Sequence, residues 1–66
     1  MKFIEFADIH SHYCYNVSHI IRVTWEEGTN TIHIETINKG FTHIFDYVEA
    51  ANVYFNHIMG NLVEEV

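Results

Sequence analysis

Two runs of alternation constrain this chain more than anything else in it. In Ile21-Arg22-Val23-Thr24-Trp25 and again in Ile32-His33-Ile34-Glu35-Thr36, apolar and polar residues change places at almost every step. That is the period of a half-buried β-strand. Between the runs, Glu26-Glu27-Gly28-Thr29-Asn30 is turn chemistry, with Gly28 free to take the positive φ of a tight turn. A turn centred on Gly28-Thr29 sets Trp25 opposite Ile32, Val23 opposite Ile34 and Ile21 opposite Thr36, with Arg22 across from Glu35 on the other face. A slip of one residue would set apolar side chains against polar ones, so the pattern itself rejects it.

The flanks supply the rest of the fold. Phe3 to Phe6 reads as a short apolar strand start. Beyond it the odd positions Ala7, Ile9, Tyr13, Tyr15 and Val17 are apolar, the mark of a further strand bent or broken near Asp8 or Asn16. Asn38-Lys39-Gly40 is a turn signal, and Phe41 to Phe45 has the length of a last strand. Asp46-Tyr47-Val48-Glu49 then has capping-box spacing. Ile44, Val48, Ala51, Phe55, Ile58 and Leu62 recur at three and four residues, as on an amphipathic helix. Gly60 is placed to end that helix or to be run through toward the acidic tail. The order predicts one small α+β domain spanning residues 1–66: an antiparallel sheet of three to four strands packed against one C-terminal amphipathic helix, βββ(β)α. The outer face of the sheet would carry Ile20, Arg22, Thr24, His33, Glu35 and Ile37.

A domain of 66 residues has little surface to bury and folds with a narrow margin. Disulfides are excluded as the remedy, because Cys14 is the single cysteine. A dense aromatic core or a homodimer, joined through sheet edges or the broad helix face, remains. Ten residues are aromatic, more than so small a core is expected to hide, which places several at an interface. No apolar run approaches the ~18 residues of a membrane span, and the N-terminus lacks the pattern of a signal peptide. The expected location is the cytoplasm, or the host cytoplasm for a phage-encoded chain.

Charge narrows the class of partner. Lys2, Arg22 and Lys39 face nine carboxylates, a formal net charge of −6. Direct binding to nucleic acid or to an anionic membrane needs the opposite balance. A partner selected by charge would be basic, and nucleic-acid-processing proteins have such surfaces. The size and charge are similar to those of small phage-encoded inhibitors of nucleases, glycosylases and CRISPR effectors. That likeness implies a protein-binding inhibitor or regulator, without catalysis of its own, that acts by charge mimicry. Its candidate contacts are the aromatics Tyr13, Tyr15, Tyr47 and Tyr54 and the acidic residues Glu26, Glu27 and Glu49.

Two further constellations bear on chemistry. His10, His12 and Cys14 fall on alternate positions, so on one strand they would share a face with ligand types that zinc accepts. Asp8 beside them could orient a ligating imidazole, and His19, His33 or His43 could supply a fourth ligand. A metal-binding module is therefore the alternative to a cofactor-free regulator, with a structural subunit of a larger complex as the plainer variant. Asp8-Ile9-His10-Ser11-His12 resembles the Asp-x-His-x-His opening of metal-dependent phosphoesterases of the PHP type. Their remaining ligands come from a barrel for which this chain has no room. For nucleophilic catalysis, Cys14 lacks an evident third group, oxyanion hole or pocket.

Overall fold

The computed structural model describes residues 2–62. Five strands and one helix follow one another: β1 (Phe3–Ala7), β2 (His12–Asn16), a 3₁₀ turn (Val17–His19), β3 (Ile20–Trp25), β4 (Thr31–Thr36), β5 (Gly40–Ile44) and α1 (Val48–Leu62). All pairings are antiparallel: β1 with β2 in one sheet, and β3, β4 and β5 in order in a second. The class is the α+β arrangement read from the sequence, with one C-terminal helix.

The β3–β4 hairpin has the register that alternation dictates. Trp25 pairs with Ile32, Val23 with Ile34 and Arg22 with Glu35, whose side chains meet at 2.8 Å. Gly28 has φ +86° in a turn closed by the Thr29 amide donating to the Glu26 carbonyl. The pattern fails at one place. A bulge between Ile20 and Arg22 pairs Ile20, not Ile21, with Thr36. Ile20 thereby packs against the core and Ile21 is left outside, 60% exposed. A bulge inserts one residue and shifts every side chain beyond it to the other face, which no tally of apolar positions reveals.

The N-terminal stretch is a second hairpin, not one bent strand. Asp8 is what turns it: its Oδ1 accepts the amides of His10 and Ser11, while its own amide donates to the Ser11 carbonyl. Such a side chain–backbone turn is a standard use of Asp. The expected capping box at α1 does not form. The Tyr47 carbonyl instead accepts the amides of Ala50 and Ala51, and neither Asp46 nor Glu49 makes a side-chain hydrogen bond with a described residue. The helix runs through Gly60, and the acidic tail at Glu64 and Glu65 lies outside the described residues.

The core forms where both sheets and the helix meet, around Ile4, Phe6, Tyr15, Ile32, Ile34, Phe45, Ala51 and Ile58. The aromatic residues are spent there more fully than their number suggested. Three lie in the core and Tyr13, Trp25, Phe41, Tyr54 and Phe55 pack against it; only Phe3 and Tyr47 are mostly exposed. Among the described residues, no helix is long and apolar enough to cross a membrane.

Candidate functional site

Alternation along β5 places Phe41, His43 and Phe45 on the inner face, so an imidazole enters the core between two phenyl rings. His43 is fully buried. A buried imidazole requires partners for both nitrogens, and both are supplied by the N-terminal hairpin. Nδ1 lies 2.8 Å from Asp8 Oδ2, and Nε2 lies 2.6 Å from the Tyr15 hydroxyl. A carboxylate only accepts, so the hydrogen on that side belongs to Nδ1. In the neutral ring Nε2 then accepts from the Tyr15 O–H. The Asp8 and His43 side chains are 0% and 1% exposed, and rings of Phe6 and Tyr13 stand edge-on to the imidazole at 4.8 and 4.4 Å between centroids.

The electrostatics follow from this wiring. Burial alone would raise the Asp8 carboxyl; the hydrogen bond from His43, with those from the Ser11 and His10 amides, outweighs it and holds the pKa below the ordinary carboxylate value. Burial pushes the Tyr15 phenol above its ordinary value, reinforced by Tyr13 and by the Asp8 charge. Among the described residues no buried side-chain nitrogen or oxygen lacks a partner. The Asp8–His43–Tyr15 chain is thus a closed set of hydrogen bonds that ties one sheet to the other.

The residues singled out from the sequence are distributed otherwise than their spacing implied. Tyr15 is 8% exposed and belongs to the core, so it is corrected from partner contact to internal ligand of His43. Tyr13 and Tyr54 are half-buried beside it. His10, His12 and Cys14 do not share a strand face, because His10 stands in the β1–β2 turn while His12 and Cys14 project from β2 into solvent. Among the described residues, no three His, Cys, Asp or Glu side chains are grouped to hold a metal ion. Asp8 does orient an imidazole, but that of His43 rather than of His10 or His12. The period-two run Phe41-Thr42-His43-Ile44-Phe45 was the available signal for a buried histidine; its partners, 28 and 35 residues away, left no local trace.

Glu26, Glu27, Tyr47 and Glu49, by contrast, are carried to one end of the molecule. The Phe45 amide donates to the Asn30 carbonyl and the Asn30 side-chain amide to the Phe45 carbonyl, joining the β3–β4 turn to the segment before α1. The Ile9 amide donates to the Ile44 carbonyl, which adds the β1–β2 turn to the same end. Glu26, Glu27, Asp46 and Glu49 are exposed there, together with Ile9, Tyr47 and Val48. Lys2 and Lys39 lie at the other end: the Val17 amide donates to the Lys2 carbonyl, and the Ile37 amide to the His19 carbonyl. At about 3.4 Å per residue, five-residue strands hold the two ends some 17 Å apart. Charge is therefore polarised along the strands.

No family model, no curated protein and no solved structure matches this chain.

Proposed function

We propose that the chain is a non-catalytic protein-binding regulator or inhibitor whose acidic end receives a basic protein, of the kind that processes nucleic acid. One observation carries this reading: Glu26, Glu27, Asp46 and Glu49 are exposed at the same end as the exposed Ile9, Tyr47 and Val48, with no described lysine or arginine there. Exposed apolar side chains that share an end with like charges combine a contact patch with a field that guides the partner toward it. The internal hydrogen-bond chain supports a role without catalysis. The Tyr15 hydroxyl and both His43 nitrogens are committed to each other and to Asp8, and burial disfavours the phenolate that a reactive Tyr15 would need.

The test is a binding measurement on the partner recovered with tagged protein at about 0.05 M salt. Raising the salt to about 0.5 M shortens the Debye length to a few ångströms and should abolish capture. Glu26→Lys with Glu27→Lys should slow association about 10- to 100-fold while changing dissociation by less than about threefold. An association rate indifferent to both salt and charge reversal would end the electrostatic reading.

A further inference from the structure

The phase of the β-ladders leaves two strand edges facing each other. Bonds at Lys2–Val17 and Asp8–Ser11 flank the β1–β2 pairing, and bonds at Thr36–Lys39 and Asn30–Phe45 flank the β4–β5 pairing. Because bonded and non-bonded pairs alternate, the amides and carbonyls of His12, Cys14 and Asn16 point away from β1. Those of Gly40, Thr42 and Ile44 point away from β4 on the same reasoning. The Ile9–Ile44 bond joins the β1–β2 turn to the β5 edge at the acidic end. Toward the other end lies a cleft of about 260 Å³, lined on one side by Tyr13 to Asn16 and on the other by Lys39 and Phe41.

Three properties of this cleft define what fits it. Its walls are part aromatic and part polar: Tyr13 and Tyr15 stack at 6.5 Å and 18° and Phe41 meets Tyr15 edge-on at 5.5 Å, with His19, Thr36 and Asn38 beside them. Its shape is fixed from behind, since the Tyr15 hydroxyl is tied to His43. Its charge is opposite to that of the whole protein: among the described residues no carboxylate lines it, and the Lys39 ammonium stands 4.9 Å over the Phe41 ring without an ion-pair partner. Drug-sized ligands occupy roughly 300–1,000 Å³, so the occupant is smaller than those.

We propose that the cleft binds a small planar aromatic carboxylate. Its ring lies against Tyr13, Tyr15 and Phe41, and its carboxylate accepts from Lys39 and from the β2 edge amides, which have no partner among the described residues. A flat ring is what aromatic walls select, and an anion is what an ammonium and free amides select. The site is at the end opposite the acidic patch and does not depend on the reading given to that patch.

Benzoate, benzamide and benzylamine, titrated separately into ¹⁵N-labelled protein, test the assignment. Benzoate should shift the amide resonances of Cys14, Asn16, Lys39 and Phe41 and saturate near millimolar concentration, the strength open to a ligand of one ring. Benzamide should bind about tenfold more weakly, as should benzoate to Lys39→Met, since each loses one charge-assisted contact. Lys39 is exposed and its side chain gives up only the contact with the Phe41 ring, so that variant should melt within about 5 °C of the wild-type temperature. Shifts that fail to saturate, equal binding of benzamide or benzylamine, or an undiminished response in Lys39→Met would each overturn the proposal.

Discussion

Phe6→Ala should leave little folded protein at neutral pH, as read by urea titration followed by tryptophan fluorescence. The Phe6 ring is 3% exposed and lies within 6.2 Å, centroid to centroid, of Tyr13, Tyr15, His43, Phe45 and Tyr54. Those five rings belong to β2, to β5 and the residue after it, and to α1, so one side chain is common to both sheets and the helix. Phe-to-Ala changes in cores cost about 3–5 kcal/mol. At roughly 0.05–0.15 kcal/mol per residue, a chain of this length has only about 3–10 kcal/mol in all. Phe55→Ala, at a half-buried ring that meets Trp25 at 5.4 Å, should be clearly milder. A loss below about 1 kcal/mol for Phe6→Ala would show that the layers are held together elsewhere.

Asp8→Ala should destabilise by about 2–3 kcal/mol, the cost of leaving a buried donor without its charged acceptor. It strands His43 Nδ1 in the core and frees the amides that close the β1–β2 turn. The pH dependence follows from the direction of the shift. Asp8 binds its proton less readily in the folded state than in the unfolded one. Its contribution is therefore complete above the unfolded carboxyl value near pH 4 and is lost as pH falls below it. Tyr15 sets the alkaline limit. Its folded pKa is raised, so its contribution is intact below the unfolded phenol value of about 10 and is lost as pH climbs past it. Urea midpoints measured from pH 2.5 to 11 should form a plateau with both shoulders. Asp8→Asn, which has one acceptor oxygen where two are used, should lower the plateau and flatten the acid shoulder. An acid shoulder of wild-type height in Asp8→Asn would assign it to another carboxylate.

How much of this was visible beforehand depends on the range of the interaction. The β3–β4 register is a local matter of alternation around one turn, and Trp25–Ile32, Val23–Ile34 and Arg22–Glu35 could be read directly. The stripe through Ala51 and Ile58 likewise follows from helical spacing. The Ile20–Arg22 bulge could not be read, because the neighbouring apolar residues Ile20 and Ile21 satisfy either phase. His10, His12 and Cys14 misled for a related reason. Their even spacing implies one face only if the strand continues, and the turn held by Asp8 interrupts it. The partners of His43 were invisible because side-chain hydrogen bonds across dozens of residues leave no periodicity. Among the candidate contacts, Glu26, Glu27, Tyr47 and Glu49 were chosen for exposure; that three separate turns converge on one end belongs to topology.

The span of the hydrogen-bond chain also governs the order of events in folding. Strands β3, β4 and β5 pair with immediate neighbours through short turns, so the meander closes small loops and can form early. His43 must then wait for Asp8 and Tyr15, 35 and 28 residues away, to be delivered by the docking hairpin. Until that arrival its imidazole stands in water. Destabilising changes at Ile34 should therefore slow refolding, whereas Asp8→Asn should mainly hasten unfolding. Stopped-flow rates for the two variants would separate them. That division of rates would make the N-terminal hairpin the latch of the molecule, last to engage and first to release.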